Sequence, residues 1–174
     1  MVEELVKKAK QGDKEALIQL IMLRKQEYYK LAYVFTGNEE DALDAMEDMI
    51  VSVYENIKKL KRDEAFYTWS KTILVNGCKK IYRNTRKNVP IETLGEVAAG
   101  DGLQQKDNQI LLEKHLAKLS DKHQAVIRLR YFLDLEYQTI ADILKIPLGT
   151  VKSRLAYSLE RLKESLGGEV FEEH

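Results

Sequence analysis

Residues 137–155 read Tyr137-Gln-Thr-Ile-Ala-Asp-Ile-Leu-Lys-Ile-Pro-Leu-Gly-Thr-Val-Lys-Ser-Arg-Leu155, and this stretch decides the fold of the second half of the chain. Tyr137, Ile140, Ala141 and Leu144 recur at the spacing of one helical face. Ala141 is small, which lets a second helix cross close to it. Ile146 plugs the turn, and Pro147 to Gly149 stop the first helix and redirect the chain. Thr150 then caps or opens a second helix whose inner face is Val151, Leu155, Leu159 and Leu162. The pattern is a helix-turn-helix. With Val151 and Leu155 inward, Lys152, Ser153, Ala156, Tyr157 and Glu160 turn outward, with Arg154 on a flank. A helix presented in this way fits the major groove of duplex DNA, its first residues at base edges and its Lys and Arg on phosphates. Thr150, Lys152, Ser153, Arg154 and Tyr157 are the candidate DNA contacts. An ordinary helical hairpin with a solvated charged face is the competing explanation; the turn Ile146-Pro-Leu-Gly-Thr150 favours DNA.

Working outward from this element, helical periodicity predicts three more helices before it in the same half or overlapping it: Ile110 to Lys118, a Ser120-capped helix to Tyr131, and Glu136 to Leu144, followed by the Thr150 to Leu166 helix. Upstream, the spacing collapses between Asn88 and Asn108, where Pro90, Gly95, Gly100 and Gly102 fall among small residues. That composition predicts a flexible linker over 88–108. From Leu5 to Lys87 the apolar residues again recur at helical spacing, broken at Gly12-Asp13 and Gly37-Asn38, where Gly ends one helix and Asp or Asn caps the next. Four helices are expected there. The expectation is therefore an all-α chain of two small helical domains, 1–87 and 109–166, with a frayed tail over 167–174.

Composition agrees. The chain has 174 residues, 44% hydrophobic and 32% charged, with nine Gly and two Pro, which suits packed helices and excludes collagen-like or turn-rich all-β architecture. One cysteine, Cys78, cannot form an internal disulfide, and three histidines without ligand spacing point to no metal and no cofactor. Cys78 is expected to be a buried small residue. The opening Met1 to Lys10 has neither a signal-peptide core nor a lipidation motif, so a cytoplasmic location is expected.

The formal net charge is zero, yet its distribution is uneven. Glu39 to Asp48 holds six acids and no base, and Lys79 to Lys87 holds five bases and no acid. A polyanion responds to the phosphates actually contacted, so a neutral total excludes nothing. The third helix, Glu39 to Lys61, places Ala42, Met46, Met49, Ile50, Val53, Ile57 and Leu60 on one stripe and leaves Asp41, Asp44, Asp48, Ser52 and Glu55 outside. The fourth, Glu64 to Arg86, is expected to bury Phe66, Trp69, Ile73 and Leu74. Its other face carries Thr72, Asn76, Lys79, Lys80, Arg83 and Lys87 in line.

These segments resemble a known family. Ile146 to Leu155, preceded by Leu119-Ser-Asp-Lys-His-Gln-Ala-Val-Ile-Arg-Leu-Arg-Tyr131, is similar to the C-terminal domain of bacterial extracytoplasmic-function sigma factors. Asp41-Ala-Leu-Asp-Ala-Met-Glu-Asp-Met-Ile50 looks like the acidic helix of that family, and Trp69 to Arg83 like its Trp, Asn and Arg signature. Gln11 to Ala16 matches the usual opening, so the resemblance spans about Leu5 to Leu166. It implies a dissociable subunit of RNA polymerase that directs promoter recognition, and not an enzyme. The acidic helix (Asp41, Asp44, Glu47, Asp48) would dock on core polymerase. The basic helix (Asn76, Lys79, Lys80, Arg83) would contact the minus-ten element, and the helix-turn-helix the minus-thirty-five element. The resemblance further implies an anti-sigma factor, often membrane-bound, acting on the apolar rims of the two domains. Two departures stand out. The recognition helix continues Ala156-Tyr-Ser-Leu-Glu-Arg161, less basic than usual, whereas Lys79-Lys80 makes the other DNA-facing helix more basic than usual.

Two other classes compete. A helix-turn-helix regulator that does not bind polymerase would need no acidic docking helix. A magnesium-dependent nucleotide hydrolase would use Glu39, Glu40, Asp44, Glu47 and Asp48, but it requires acids from a second helix, and the preceding one offers only Glu27.

Overall fold

The computed structural model describes residues 1–88 and 111–167. These residues are helical throughout their ordered elements, with no strand among them. Helix α1 spans Val2–Lys10, α2 Lys14–Leu23, α3 Lys25–Thr36, α4 Glu39–Asn56 and α5 Phe66–Asn88. Two single 3₁₀ turns, Ile57–Lys59 and Asp63–Ala65, join α4 to α5. The second half contains α6 over 111–116, α7 Asp121–Ile127, α8 Tyr137–Leu144 and α9 Leu148–Ser165. Positions 89–108 of the expected linker and 168–174 of the expected tail lie outside the described residues.

The two breaks read from glycine occur with the expected chemistry. Asp13 accepts a hydrogen bond from the Ala16 amide at 3.1 Å, and Asn38 accepts one from the Asp41 amide at 2.8 Å, each satisfying an orphan donor of the following helix. Gly37 takes the left-handed conformation (φ 80°) that closes α3, where a side chain would be strained. The first half has five helices rather than four, because α2 and α3 part at Arg24. Its backbone (φ −123°, ψ 24°) leaves the helical region with no Gly or Pro to announce it. The third and fourth helices are also bounded differently from expectation: α4 ends at Asn56, five residues early, and α5 begins at Phe66.

In the helix-turn-helix, Ile140 and Ala141 are buried in α8 and Val151, Leu155 and Leu162 in α9. The turn falls on 145–147: Ile146 and Pro147 lie in it as expected, whereas Leu148 and Gly149 already belong to α9. Lys145, not a glycine, adopts the left-handed conformation (φ 55°) that ends α8. Pro147 sits at the cap position of α9, and Gly149 and Thr150 lie within its first turn, so Thr150 opens the helix and does not cap it. Ser120 likewise precedes α7 without capping it by its side chain, since its Oγ pairs with His123 Nδ1 at 2.6 Å. Beyond Ile127 the helix widens into a single π turn, Arg128–Phe132.

Buried apolar residues of both halves belong to one connected cluster. Helices α3, α4 and α5 pack on one another around Tyr28, Leu31, Met49, Val53, Phe66 and Leu74. Tyr28 is fully buried, and its hydroxyl is paired with Ser70 Oγ at 2.6 Å. In the second half α7 and α9 pack around Val126, Leu129 and Leu162. The halves meet where α8 lies on α5 and the π turn lies on α3.

Candidate nucleic-acid interface

The acidic helix comes first in the chain. Ala42, Ala45, Met46, Met49 and Val53 face the core, so the 3.6-residue repeat leaves Asp44, Glu47 and Asp48 exposed on the opposite side. Asp41 is different: it is half-buried, and its Oδ2 accepts a hydrogen bond from Asn38 Nδ2 at 2.9 Å. This places Asp41 in the helix cap, where a carboxylate also favours the positive end of the helix. Exposed Leu43, Val51 and Tyr54 interleave with the free acids. Among the described residues no group of three or more His, Cys, Asp or Glu is arranged to hold a metal.

Helix α5 carries the first basic face. Asn76, Lys80 and Arg83, all exposed, line one open groove together with Asn84, a residue the periodicity argument did not single out. Lys79 turns away from this groove. It is half-buried, and burial holds its ammonium below the ordinary lysine value; Asp121 opposes that effect, while Arg154 and Arg83 add to it. Arg83 Nε lies 3.3 Å from Asp121 Oδ2, an exposed pair of small energetic weight. The side chain of Lys87 lies outside the described residues. Thr72, expected on this outer face, is instead buried: its Oγ1 lies 2.6 Å from the Ile143 carbonyl of α8 and 3.0 Å from its own helix at Thr68. Phe66 is core as expected, whereas Trp69 and Ile73 are only half-buried. Cys78 is fully buried, and burial pushes its thiol up to about 12.

Helix α9 carries the second face. Lys152, Ser153, Ala156, Tyr157 and Glu160 are exposed and Arg154 and Thr150 are half-buried, as the wheel argument requires. Ser153 donates to the Thr150 carbonyl at 3.1 Å, which fixes its hydroxyl near the start of the helix. The Tyr157 ring lies 4.5 Å from the His123 ring and 5.6 Å from the Arg161 guanidinium, so it is held against the surface of α9. Ser158, which the apolar pattern passed over, is fully buried and donates to the Arg154 carbonyl at 2.6 Å.

Three features thus lie on separate helices: an exposed acidic row on α4, a polar and basic groove on α5, and an outward basic face on a helix-turn-helix. Comparison with known proteins assigns their class. Two protein-family models match, Sigma-70 region 2 over residues 20–88 and Sigma-70, region 4 over residues 115–164. The chain is a two-region protein of the sigma-70 type. It is 30% identical over 181 residues to the ECF RNA polymerase sigma factor SigW of Bacillus subtilis (strain 168), covering 95% of this chain and 97% of the relative. It is 30% identical over 161 residues to RNA polymerase sigma factor SigV of the same organism, covering 91% and 96%. The chain belongs to the ECF RNA polymerase sigma factors, which bind core polymerase and direct promoter recognition at the start of transcription.

Solved structures agree in fold. CnrH, solved in complex with the cytosolic domain of CnrY, matches with a TM-score of 0.67 at 19% identity, over 97% of this chain and 98% of that one. The sigma factor RpoE, solved in complex with the anti-sigma factor NepR from Bartonella quintana, matches with a TM-score of 0.58 at 21% identity, over 87% and 96%. Among the described residues no helix is long and apolar enough to cross a membrane.

Proposed function

We propose that the chain acts in the cytoplasm as a non-enzymatic bridge between core polymerase and two stretches of promoter DNA, with a division of labour by helix. A first domain over 1–87 carries docking and minus-ten contacts, and a second over 109–166 carries minus-thirty-five contacts, with 88–108 as the connection. Asp44, Glu47 and Asp48 dock on a basic surface of core polymerase, and Asp41 supports them by ordering the start of α4. Asn76, Lys80 and Arg83 hold minus-ten DNA in their groove, and Lys79 contacts it from the flank of the same helix. Lys152, Ser153, Arg154 and Tyr157, with Thr150 at the helix start, contact the minus-thirty-five element. Like CnrH and RpoE, whose structures contain CnrY and NepR, the chain is held by an anti-sigma partner when inactive.

The observation that supports this most is the row of exposed carboxylates on α4 directly opposite its buried face, since such a row is complementary to a basic partner and contributes little to the fold itself. Reversing Asp44 and Asp48 to Lys tests it. Retention of the chain on immobilised core polymerase is expected to fall at least about tenfold, because like charges across an interface oppose association, with the helical circular dichroism unchanged. Undiminished retention would discard the docking assignment.

A further inference from the structure

Tyr157 is the single aromatic residue of α9, and it stands on the outward face. A lysine can reach a phosphate from many rotamers, because charge attraction is long-ranged and weakly directional. A neutral ring acts only through contact, so its contribution depends on where it is held. Tyr157 is 47% exposed and packs against two side chains. One is the guanidinium of Arg161, a turn further along α9, at 5.6 Å from the ring centroid; the Arg161 side chain is itself 59% exposed and restrains little. The other is the imidazole of His123 on α7, with ring centroids 4.5 Å apart and planes tilted by 42°. His123 belongs to a different helix, and it therefore holds the ring from outside.

His123 is anchored in turn. Its backbone N–H donates to the Ser120 carbonyl at 3.0 Å, and its Nδ1 pairs with Ser120 Oγ at 2.6 Å. Its carbonyl lies 3.5 Å from Oγ of the fully buried Ser158, the residue that follows Tyr157. The imidazole is thus fixed in the first turn of α7, at the point where Tyr157 leaves α9. Burial, reinforced by Lys122 and Arg154, holds His123 below the ordinary histidine value. The ring is therefore uncharged at neutral pH and packs on the phenol without adding to the positive charge of Arg154 and Arg161. A side chain immobilised before binding has no rotamer freedom left to lose when its target arrives. We propose that His123 is a positioning residue for minus-thirty-five recognition: anchored through Ser120, its imidazole fixes the Tyr157 ring and thereby sets the base preference at the position that Tyr157 meets. This rests on the DNA-reading role assigned to α9 above, and it requires no contact between His123 and DNA.

The test is run-off transcription by core polymerase with the full chain on fragmented genomic DNA, aligning the sequences upstream of the transcript starts. Tyr157→Ala is expected to relax the base preference at the position it meets in the upstream block. His123→Ala is expected to relax the same position and no other, the preferred base losing about three- to tenfold of its advantage, the range that ordering one side chain supplies. His123→Phe keeps a ring against Tyr157 and is expected to restore the preference to within about twofold. Combining His123→Ala with Tyr157→Ala is expected to add no further loss, since both remove one interaction. Should His123→Ala lose helical circular dichroism, His123→Gln, which can still hydrogen-bond Ser120 but has no ring, replaces it with the same expectation. An upstream block left unchanged by Tyr157→Ala or by the folded ringless variant, a loss spread evenly over the block, or no recovery in His123→Phe overturns the proposal. A wild-type chain that yields no discrete starts removes the promoter assignment and the proposal with it, whereas discrete starts with any of those outcomes remove only the positioning role of His123.

Discussion

Helices α5 and α9 both present a polar, basic side, and the structure treats them differently. On α9 the outer residues Lys152, Ser153 and Tyr157 are exposed because the helix has one set of packing partners, on the opposite side. On α5 there are two sets. Leu74, Val75 and Cys78 face the first-half core, and Thr72 with part of Lys79 is covered by the second half. The difference teaches that a basic stripe at helical spacing marks a surface able to meet DNA, while its availability depends on what the rest of the chain lays across it.

Two arginines sharpen the contrast. Arg128→Met is expected to lower unfolding stability by about 2–3 kcal/mol in urea titration. The change strands the half-buried Val34 carbonyl, while Glu113, whose side chain is half exposed, is resolvated, so the loss stays below that of a fully buried pair. Lys152→Ala and Arg154→Ala are each expected to leave stability within about 0.5 kcal/mol. Each instead reduces the salt slope of promoter binding by holoenzyme by about one phosphate contact, close to 0.9 per log unit. Equal stability losses at Arg128 and Arg154 would erase the distinction between an arginine that joins the two halves and one that faces DNA.

The smallest effect is on pH. Burial, reinforced by Lys122 and Arg154, holds His123 below the ordinary histidine value, and burial, reinforced by Lys118, does the same for His115. Each therefore binds its proton less readily folded than unfolded. Stability is complete above the unfolded value near 6.5 and declines as pH falls through and below it. Thermal unfolding across that window is expected to show a shallow acid loss, shallower in His123→Gln.

Much of this was legible in the residues. Gly37-Asn38 and Asp13 carry their chemistry locally, in a left-handed backbone and a side chain reaching its own helix start, so spacing alone located them. The alternation on α4 and the outward set on α9 follow from the 3.6-residue repeat and needed no tertiary information. The break at Arg24 was illegible because nothing in Leu23-Arg24-Lys25 forbids helix, although the Arg24 backbone leaves the helical region. Thr72, Ile143 and Arg128 were missed for another reason. A helical wheel finds the face with most apolar side chains and assigns the remainder to solvent, so a second, smaller buried face containing a hydroxyl or guanidinium is invisible to it. Arg128 alone left a trace, as a lone cation inside Ala125-Val-Ile-Arg-Leu129.

Run-off transcription on a fragmented genomic DNA library, comparing core polymerase alone with core polymerase plus this chain and sequencing the transcript starts, tests the central claim most directly. Discrete starts that appear only with the chain, and share two upstream sequence blocks about two helical turns apart, are the predicted result. A start-site profile that the chain leaves unchanged would contradict it.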